Sequence, residues 1–350
     1  MPAEWEPHAA TWLTWPRKDG ISFPDRFESI PQYWVRMCEI LSPDEEVHIN
    51  VFDAAQEEEV RKLLSRTGLK VDERIFLHPF PSYEPWCRDH GPMFLVHSQS
   101  NPRGGGTGHH PTIPRLAVVD WMYNAWGGKY PPYDLDDAVP QLISEWLGVP
   151  LFSPGIVMEG GAIEVNGRGT MLTTESCLLN KNRNPGLSKS RIEGKLRDHL
   201  GVGHILWLGE GIEGDDTDGH IDDLARFVDP TTVVIVVEED PHDANFKPLQ
   251  DNLMRLRSMR DQDGRPFRIV SLPMPGRVEH QGQRLPASYA NFYIANRTVL
   301  LPTYNHANDS KALQVLQGLF PARRVIGMDC SDLVWGLGAF HCVTQQQPLV

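Results

Sequence analysis

Cysteine is scarce in this sequence. Five occur among 350 residues (Cys38, Cys87, Cys177, Cys330 and Cys342), an odd number with no Cys-x-x-Cys pair. That argues against a disulfide framework and for free thiols in a reducing cytoplasm. Long apolar runs are missing too. No stretch reaches the roughly 18 apolar residues of a membrane span, and the opening MPAEWEPHAATWLTWPRKDG lacks the charged-then-apolar order of a secretory signal. Positive charge is in deficit, with 33 Lys and Arg against 46 Asp and Glu and a formal net charge of −13. Nucleic acid is therefore not an expected partner, because a phosphate backbone needs basic patches. A small cationic substrate suits the balance. Walker A, HExxH and His-x-His patterns are absent, so metal and phosphate sites have little support.

What is present is ordinary globular material, 40% hydrophobic and 23% charged, with enough glycine (30) and proline (29) for many turns. Periodicity predicts helices over 31–42, 54–66 and 135–147 and strands over 48–52, 75–80, 93–96 and 116–121. Residues 98–112, which hold His109 and His110, read as a polar surface loop. A coarse repeat then appears. Hairpins over 160–177, 224–240 and 288–305 are each followed by a helix (188–200, 244–259, 309–319) and a short strand (205–208, 268–272, 324–328). The first 150 residues have room for two more such units. A fixed period of strand–strand–helix–strand units predicts an array about an axis, with loops converging at one end. A plain α/β sheet is the alternative. A homo-oligomer is left open.

Four segments carry candidate chemistry. Cys342 stands in Trp335-Gly336-Leu337-Gly338-Ala339-Phe340-His341-Cys342, before three glutamines and then a proline that reads as a stop. Alone it reads as a small buried hydrophobe; its company elsewhere suggests a nucleophile. His220 and Asp222 lie in GDDTDGHIDD, two apart, which on an extended strand puts both on one face. The alternative there is an acidic turn. Asp89 sits in a loop beside Trp86, an aromatic wall or cation–π partner; its bland reading is a turn-capping carboxylate. Glu159 opens a strand at Met158-Glu159-Gly160-Gly161 and either orients the histidine or is simply solvated. Two carboxylates suit the planar fork of a guanidinium, and a thiolate suits attack on its central carbon. The GxGxxG match over 209–214 is rejected as a dinucleotide site, since Asp215 and Asp216 follow it and no helix is expected. A metal-dependent hydrolase built on His220, Asp222 and Asp223 is a second reading, and a non-catalytic binding protein a third.

Taken together these strings resemble the agmatine deiminases. The matches are MPAEWEPH at residue 1, WCRDHGP at 86, MEGGAIEVNGRGTMLTTESCLLNKNRNP from 158, GDDTDGHID from 214, SYANFYIAN from 288 and WGLGAFHCVTQQQP from 335. They run through nearly the whole chain. The family is similar to bacterial-type peptidyl-arginine deiminases within the guanidine-modifying superfamily. The resemblance implies one catalytic domain over 1–350 with an α/β fold, a five-bladed pseudo-symmetric propeller. It implies cofactor-free hydrolysis of agmatine to N-carbamoylputrescine and ammonia, a step of putrescine and polyamine synthesis. Peptidyl-arginine, free arginine or methylated arginine are the alternative substrates. By motif, Cys342 resembles the family's nucleophile, His220 its general acid/base and Glu159 the supporting carboxylate. Asp89 and Asp222 resemble the pair gripping the guanidinium, and Trp86 a residue flanking the substrate. Asp216 stands where the family often has Glu to hold the far amine, which shortens its reach.

Overall fold

A computed structural model describes residues 1–97 and 115–350; the loop read over 98–112 lies outside the described residues. One hairpin–helix–strand pattern recurs through the chain. Ala225–Asp229 pairs antiparallel with Thr232–Val237, helix Phe246–Ser258 follows, and Arg268–Pro273 lies parallel to Thr232–Val237. The local causes are plain. Asp229 Oδ1 accepts from the backbone N–H of Thr231 and Thr232, both at 2.8 Å, and closes the turn. The central TVVIVV run is buried at every position, as a strand covered on both faces must be. Leu249, Leu253 and Leu256 give the helix its buried stripe.

Equivalent units join Ile163–Val165, Thr170–Thr174 and His204–Leu208, then Tyr293–Ile294, Thr298–Thr303 and Arg324–Asp329. The first 150 residues supply Met93–Val96, Leu116–Val119 and Leu151–Phe152. In the fifth unit the two chain ends meet. Gln345–Pro348 pairs antiparallel with His8–Thr14, which runs parallel to Glu46–Asn50, and Ile75–His78 adds a further parallel strand. The glutamine run is therefore a strand, and it ends at Pro348. Gln345 is buried and its amide donates to Pro92 O, so long-range pairing overrides weak strand propensity. No helix of the described residues is long and apolar enough to cross a membrane.

Where the units meet, buried charge replaces apolar packing. Arg226, fully buried, gives Nε to Glu164 Oε2 at 2.9 Å and lies 2.9 Å from Glu4 Oε1. Glu4 also meets Arg88 at 3.3 Å and His341 at 2.8 Å. Burial works against the Glu4 carboxylate, but Arg226, His341 and Arg88 together hold it well below the usual range. Buried ion pairs stabilise little against apolar alternatives and break at high cost, so this network is better read as fixing how the loops meet.

On the first sheet, His48 Nδ1 lies 2.7 Å from His78 Nε2, stacked under Trp12 at 4.5 Å. Burial pushes both imidazoles down to about 4. Both folded values lie below the unfolded value of about 6.5, so the pair contributes stability that is present above that pH and lost as pH falls toward 4. His48→Asn, which preserves the hydrogen-bonding nitrogen, is expected to shrink the fall in Tm between pH 7 and pH 5. An unchanged fall in calorimetry would reject this account.

Candidate active site

Three backbone devices gather the site. The first is the segment before Cys342, where Leu337 takes a left-handed φ of 70°. A Cβ on Gly338 would lie 2.5 Å from the Trp86 ring and 3.1 Å from Cys342 Cβ, so only glycine lets the indole lie against the thiol segment. Asn291 anchors it, accepting from the Cys342 N–H at 3.3 Å through Oδ1 and placing its amide nitrogen 3.1 Å from Sγ. The second is the helical turn Cys87–His90. It was read as loop, and it carries Asp89. Its Arg88 N–H donates to Cys342 O at 3.0 Å and so locks the two segments together. The third is Gly160–Ala162, a single helical turn directly after Glu159.

Around Gly161 the polar groups converge. Asp89 Oδ1 accepts from the Gly161 N–H at 2.9 Å and lies 3.7 Å from His220 Nδ1, while Asp89 Oδ2 accepts from Trp126 Nε1 at 2.9 Å. Glu159 Oε2 is 4.0 Å from His220 Nε2, and its Oε1 takes Arg183 Nε at 2.6 Å. Asp222 Oδ2 lies 3.7 Å from Cys342 Sγ and 2.7 Å from His341 Nδ1. His220 and Asp222 do not share a strand face as the sequence suggested. His220 precedes the helical turn Ile221–Asp223, which turns Asp222 toward His341 and the thiol. The structure thus brings Cys342, Asp89, Asp222, His220 and Glu159 into one connected cluster. Both ring nitrogens of His220 are buried without a hydrogen-bond partner.

A cavity of about 300 Å³ opens onto this cluster, lined by Cys342, Asp89, Trp86, Trp126, Tyr130 and Asp216 among others. His220, Glu159 and Asp222 are fully buried and do not line it. Trp126, at φ 54°, is another left-handed residue on its wall. Asp216 accepts from the Tyr130 hydroxyl, and Lys129 Nζ lies 3.4 Å from Asp216 Oδ1.

Burial dominates the electrostatics. It pushes the Cys342 thiol well up, helped by Asp222, Asp223 and Asp89. It also raises Asp89 well above a carboxylate's usual range, with Asp222 adding to the effect. Burial pushes His220 down to about 3 although Asp222 favours its cation. Asp222 itself ends below its usual value, because His341 outweighs burial. Burial thus disfavours the charged forms of both the thiol and the imidazole.

Asn291, His341, Arg183, Trp126 and Tyr130 belong to the site and were not singled out in sequence. Asn291, His341 and Arg183 lie inside the quoted strings, but nothing local separates Asn291 or Arg183 from their neighbours. For a metal, the donor group among the described residues is Glu159, Cys177 and one nitrogen of His220, within 4.8 Å of one another. It is not the set His220, Asp222 and Asp223, since Asp222 faces His341 and Asp223 Oδ1 accepts from Asn291 at 3.0 Å. The Arg183 guanidinium on Glu159 opposes a cation there.

Residues 1–348 match the Porphyromonas-type peptidyl-arginine deiminase family. The chain is 35% identical to the agmatine deiminase of Ectopseudomonas mendocina, over 99% of this chain and 95% of that one. It superposes on the agmatine deiminase of Enterococcus faecalis with a TM-score of 0.88 at 33% identity, covering 99% of this chain and 95% of the other. A substrate-bound cysteine-to-serine variant of C. jejuni agmatine deiminase gives a TM-score of 0.85 at 30% identity, covering 99% and 95%. The α/β fold is that of these structures.

Proposed function

The chain belongs to the Porphyromonas-type peptidyl-arginine deiminase family, and from that premise we propose that it is an agmatine deiminase, hydrolysing agmatine to N-carbamoylputrescine and ammonia. One observation carries the choice of substrate. The cavity holds a thiol and Asp89 at one place and Asp216 with Tyr130 at another, and no Lys or Arg lines it among the described residues. A molecule cationic at both ends suits it; an α-carboxylate finds no partner. The five sheets of three or four strands are read as blades of a propeller and residues 1–350 as one catalytic domain, working in a reducing cytoplasm that keeps its five free thiols.

The mechanism follows from the electrostatics. The guanidinium enters beside Asp89, and Asp222 lies behind it. Its positive charge offsets the carboxylates that hold the thiol protonated, so the Cys342 proton passes to His220. The thiolate attacks the guanidinium carbon, forming a C–S bond. His220 returns the proton to the departing nitrogen, the C–N bond breaks and ammonia leaves. The S-alkylthiouronium cation remains. His220 then takes a proton from water as its oxygen adds to the same carbon. The C–S bond breaks, the adduct's remaining hydroxyl proton is released to solvent, the ureido product forms and the thiolate regains its proton from His220. Water is consumed and no cofactor is needed. Trp86 and Trp126 wall the reacting carbon, and Glu159 supports the imidazole.

Ammonia release across agmatine, free arginine and a peptidyl-arginine tests the reading. Agmatine is expected to show the highest kcat/KM, and Asp216→Asn to raise KM for agmatine about tenfold by weakening the amine contact. Higher efficiency on either substrate with an α-carbonyl group would favour the alternative guanidine reading.

A further inference from the structure

Arg183 does more than neutralise a buried acid. Its guanidinium, almost fully buried, donates from Nε to Glu159 Oε1 at 2.6 Å, from Nη1 to Asp218 Oδ2 at 2.6 Å and Asn182 Oδ1 at 2.7 Å, and from Nη2 to Thr217 O at 2.9 Å. Thr217 and Asp218 lead into His220, and the His220 N–H is held by Thr217 Oγ1 and Asp215 Oδ2, each at 3.1 Å. One planar fork therefore grips both the carboxylate and the turn that positions the imidazole.

We propose that Arg183 is a positioning residue for the Glu159–His220 acid–base pair, and that an ion chain running on through Asp218 and Lys129 ties this pair to Asp216 on the cavity wall. The inference rests on the deiminase reading above.

Three features support it. Arg183 engages only Oε1 of Glu159; the other oxygen has no hydrogen-bond partner and faces His220. A carboxylate pinned by one oxygen presents the second in a fixed direction. Next, burial pushes the Glu159 carboxyl up and Arg183 pulls it back down. Without Arg183 burial is opposed only by a backbone hydrogen bond, the carboxyl shifts further toward its protonated form, and the imidazolium loses support. Finally, the charges alternate along the chain. Lys129 Nζ bonds Asp218 Oδ1 at 3.1 Å and Asp216 through both its carbonyl and its carboxylate, while Asp218 Oδ2 holds Arg183. An ammonium arriving at Asp216 competes with Lys129, which then leans on Asp218, and the change reaches Arg183. The groups facing His220 from other elements are Asp89, Glu159 and Cys177 nearby, with Asp222, Arg183, Asp218 and His341 acting at longer range.

The test uses the full chain with agmatine and with n-butylguanidine, which lacks the terminal amine. R183M is expected to lower kcat on agmatine about 100-fold with KM within a few-fold, and R183K to recover part of the loss. E159Q is expected to cost as much, and the R183M/E159Q double variant no more than either alone, because both act on one pair. K129M is expected to narrow the kcat advantage of agmatine over n-butylguanidine. Should R183M fail to fold by circular dichroism, R183K and K129M carry the test. Wild-type kcat in R183K, additive losses in the double variant, or an unchanged substrate ratio in K129M overturns the inference while the deiminase reading stands. Wild-type protein that releases no ammonia from agmatine overturns both.

Discussion

Replacing Cys342 with alanine is expected to cut ammonia release from agmatine by at least about 10⁴-fold, because no other group at the reacting carbon can form the covalent intermediate. The sulfur lines the cavity, and the Asn291 amide and Asp222 approach it at 3.1 and 3.7 Å. Dry packing does not present a thiol in this way. Water and the remaining acids could add to the guanidinium only without the thiouronium step, and His220 would have no thiol proton to carry. The stability cost should be small, since one sulfur facing a cavity leaves little new void; about 1 kcal/mol or less is expected. Cys38→Ala, in the buried face of helix Pro31–Leu41, is the matched control. It removes a thiol from dense packing and should lower Tm more than it lowers activity. Ammonia release by the Cys342→Ala protein at the wild-type rate, with an intact melt, would remove the nucleophile from the mechanism.

The sequence made the units legible and their closure illegible. Hairpins such as 224–240 announce themselves through an Asp-Pro turn between two apolar runs, and helices through spaced leucines, because both signals are local. The fifth unit is not local. It joins residues 345–348 to 8–14, and a run of glutamines ending in proline has no strand signature of its own. The same division holds in the site. Cys342, His220, Asp89 and Glu159 were singled out by residue type within short motifs, and their roles came with the family resemblance. Asn291 stands 51 residues from the thiol it contacts, and Arg183 stands 24 from Glu159 and 35 from Asp218. Contacts across such spans leave no spacing rule to read. Asp222 shows the opposite failure. The period-2 rule assumed an extended strand where the chain makes a helical turn, although His220 Nδ1 and Asp222 Oδ2 still converge beside Gly161. Burial was the other hidden quantity. Depth pushes the Cys342 thiol up, and Asp222, Asp223 and Asp89 push it the same way.

Gly161→Ala is expected to lower kcat/KM by about 10³-fold, an effect out of proportion to one methyl group. The added Cβ would stand 2.5 Å from His220 Nδ1, 2.8 Å from Asp89 Oδ1 and 3.0 Å from Asp222 Oδ2. No side chain there is a free arm. His220 and Asp222 are fully buried, Asp89 is fixed by Trp126 and by the Gly161 N–H itself, and Asp222 is held by His341. The methyl must therefore spread the imidazole from two carboxylates that the reaction uses together, or move the backbone that hydrogen-bonds Asp89. Displacements of about 1 Å in such a constellation cost about 100-fold each time they misplace a reacting group. Overpacking of this kind also costs about 1–3 kcal/mol of stability, or several degrees of Tm in a chain of this size. Gly186→Ala, where a Cβ meets nothing within 4 Å, should change neither quantity. If Gly161→Ala kept wild-type kcat/KM, the three groups would not need their observed spacing, and the acid–base assignment of His220 between Asp89 and Glu159 would fall with it.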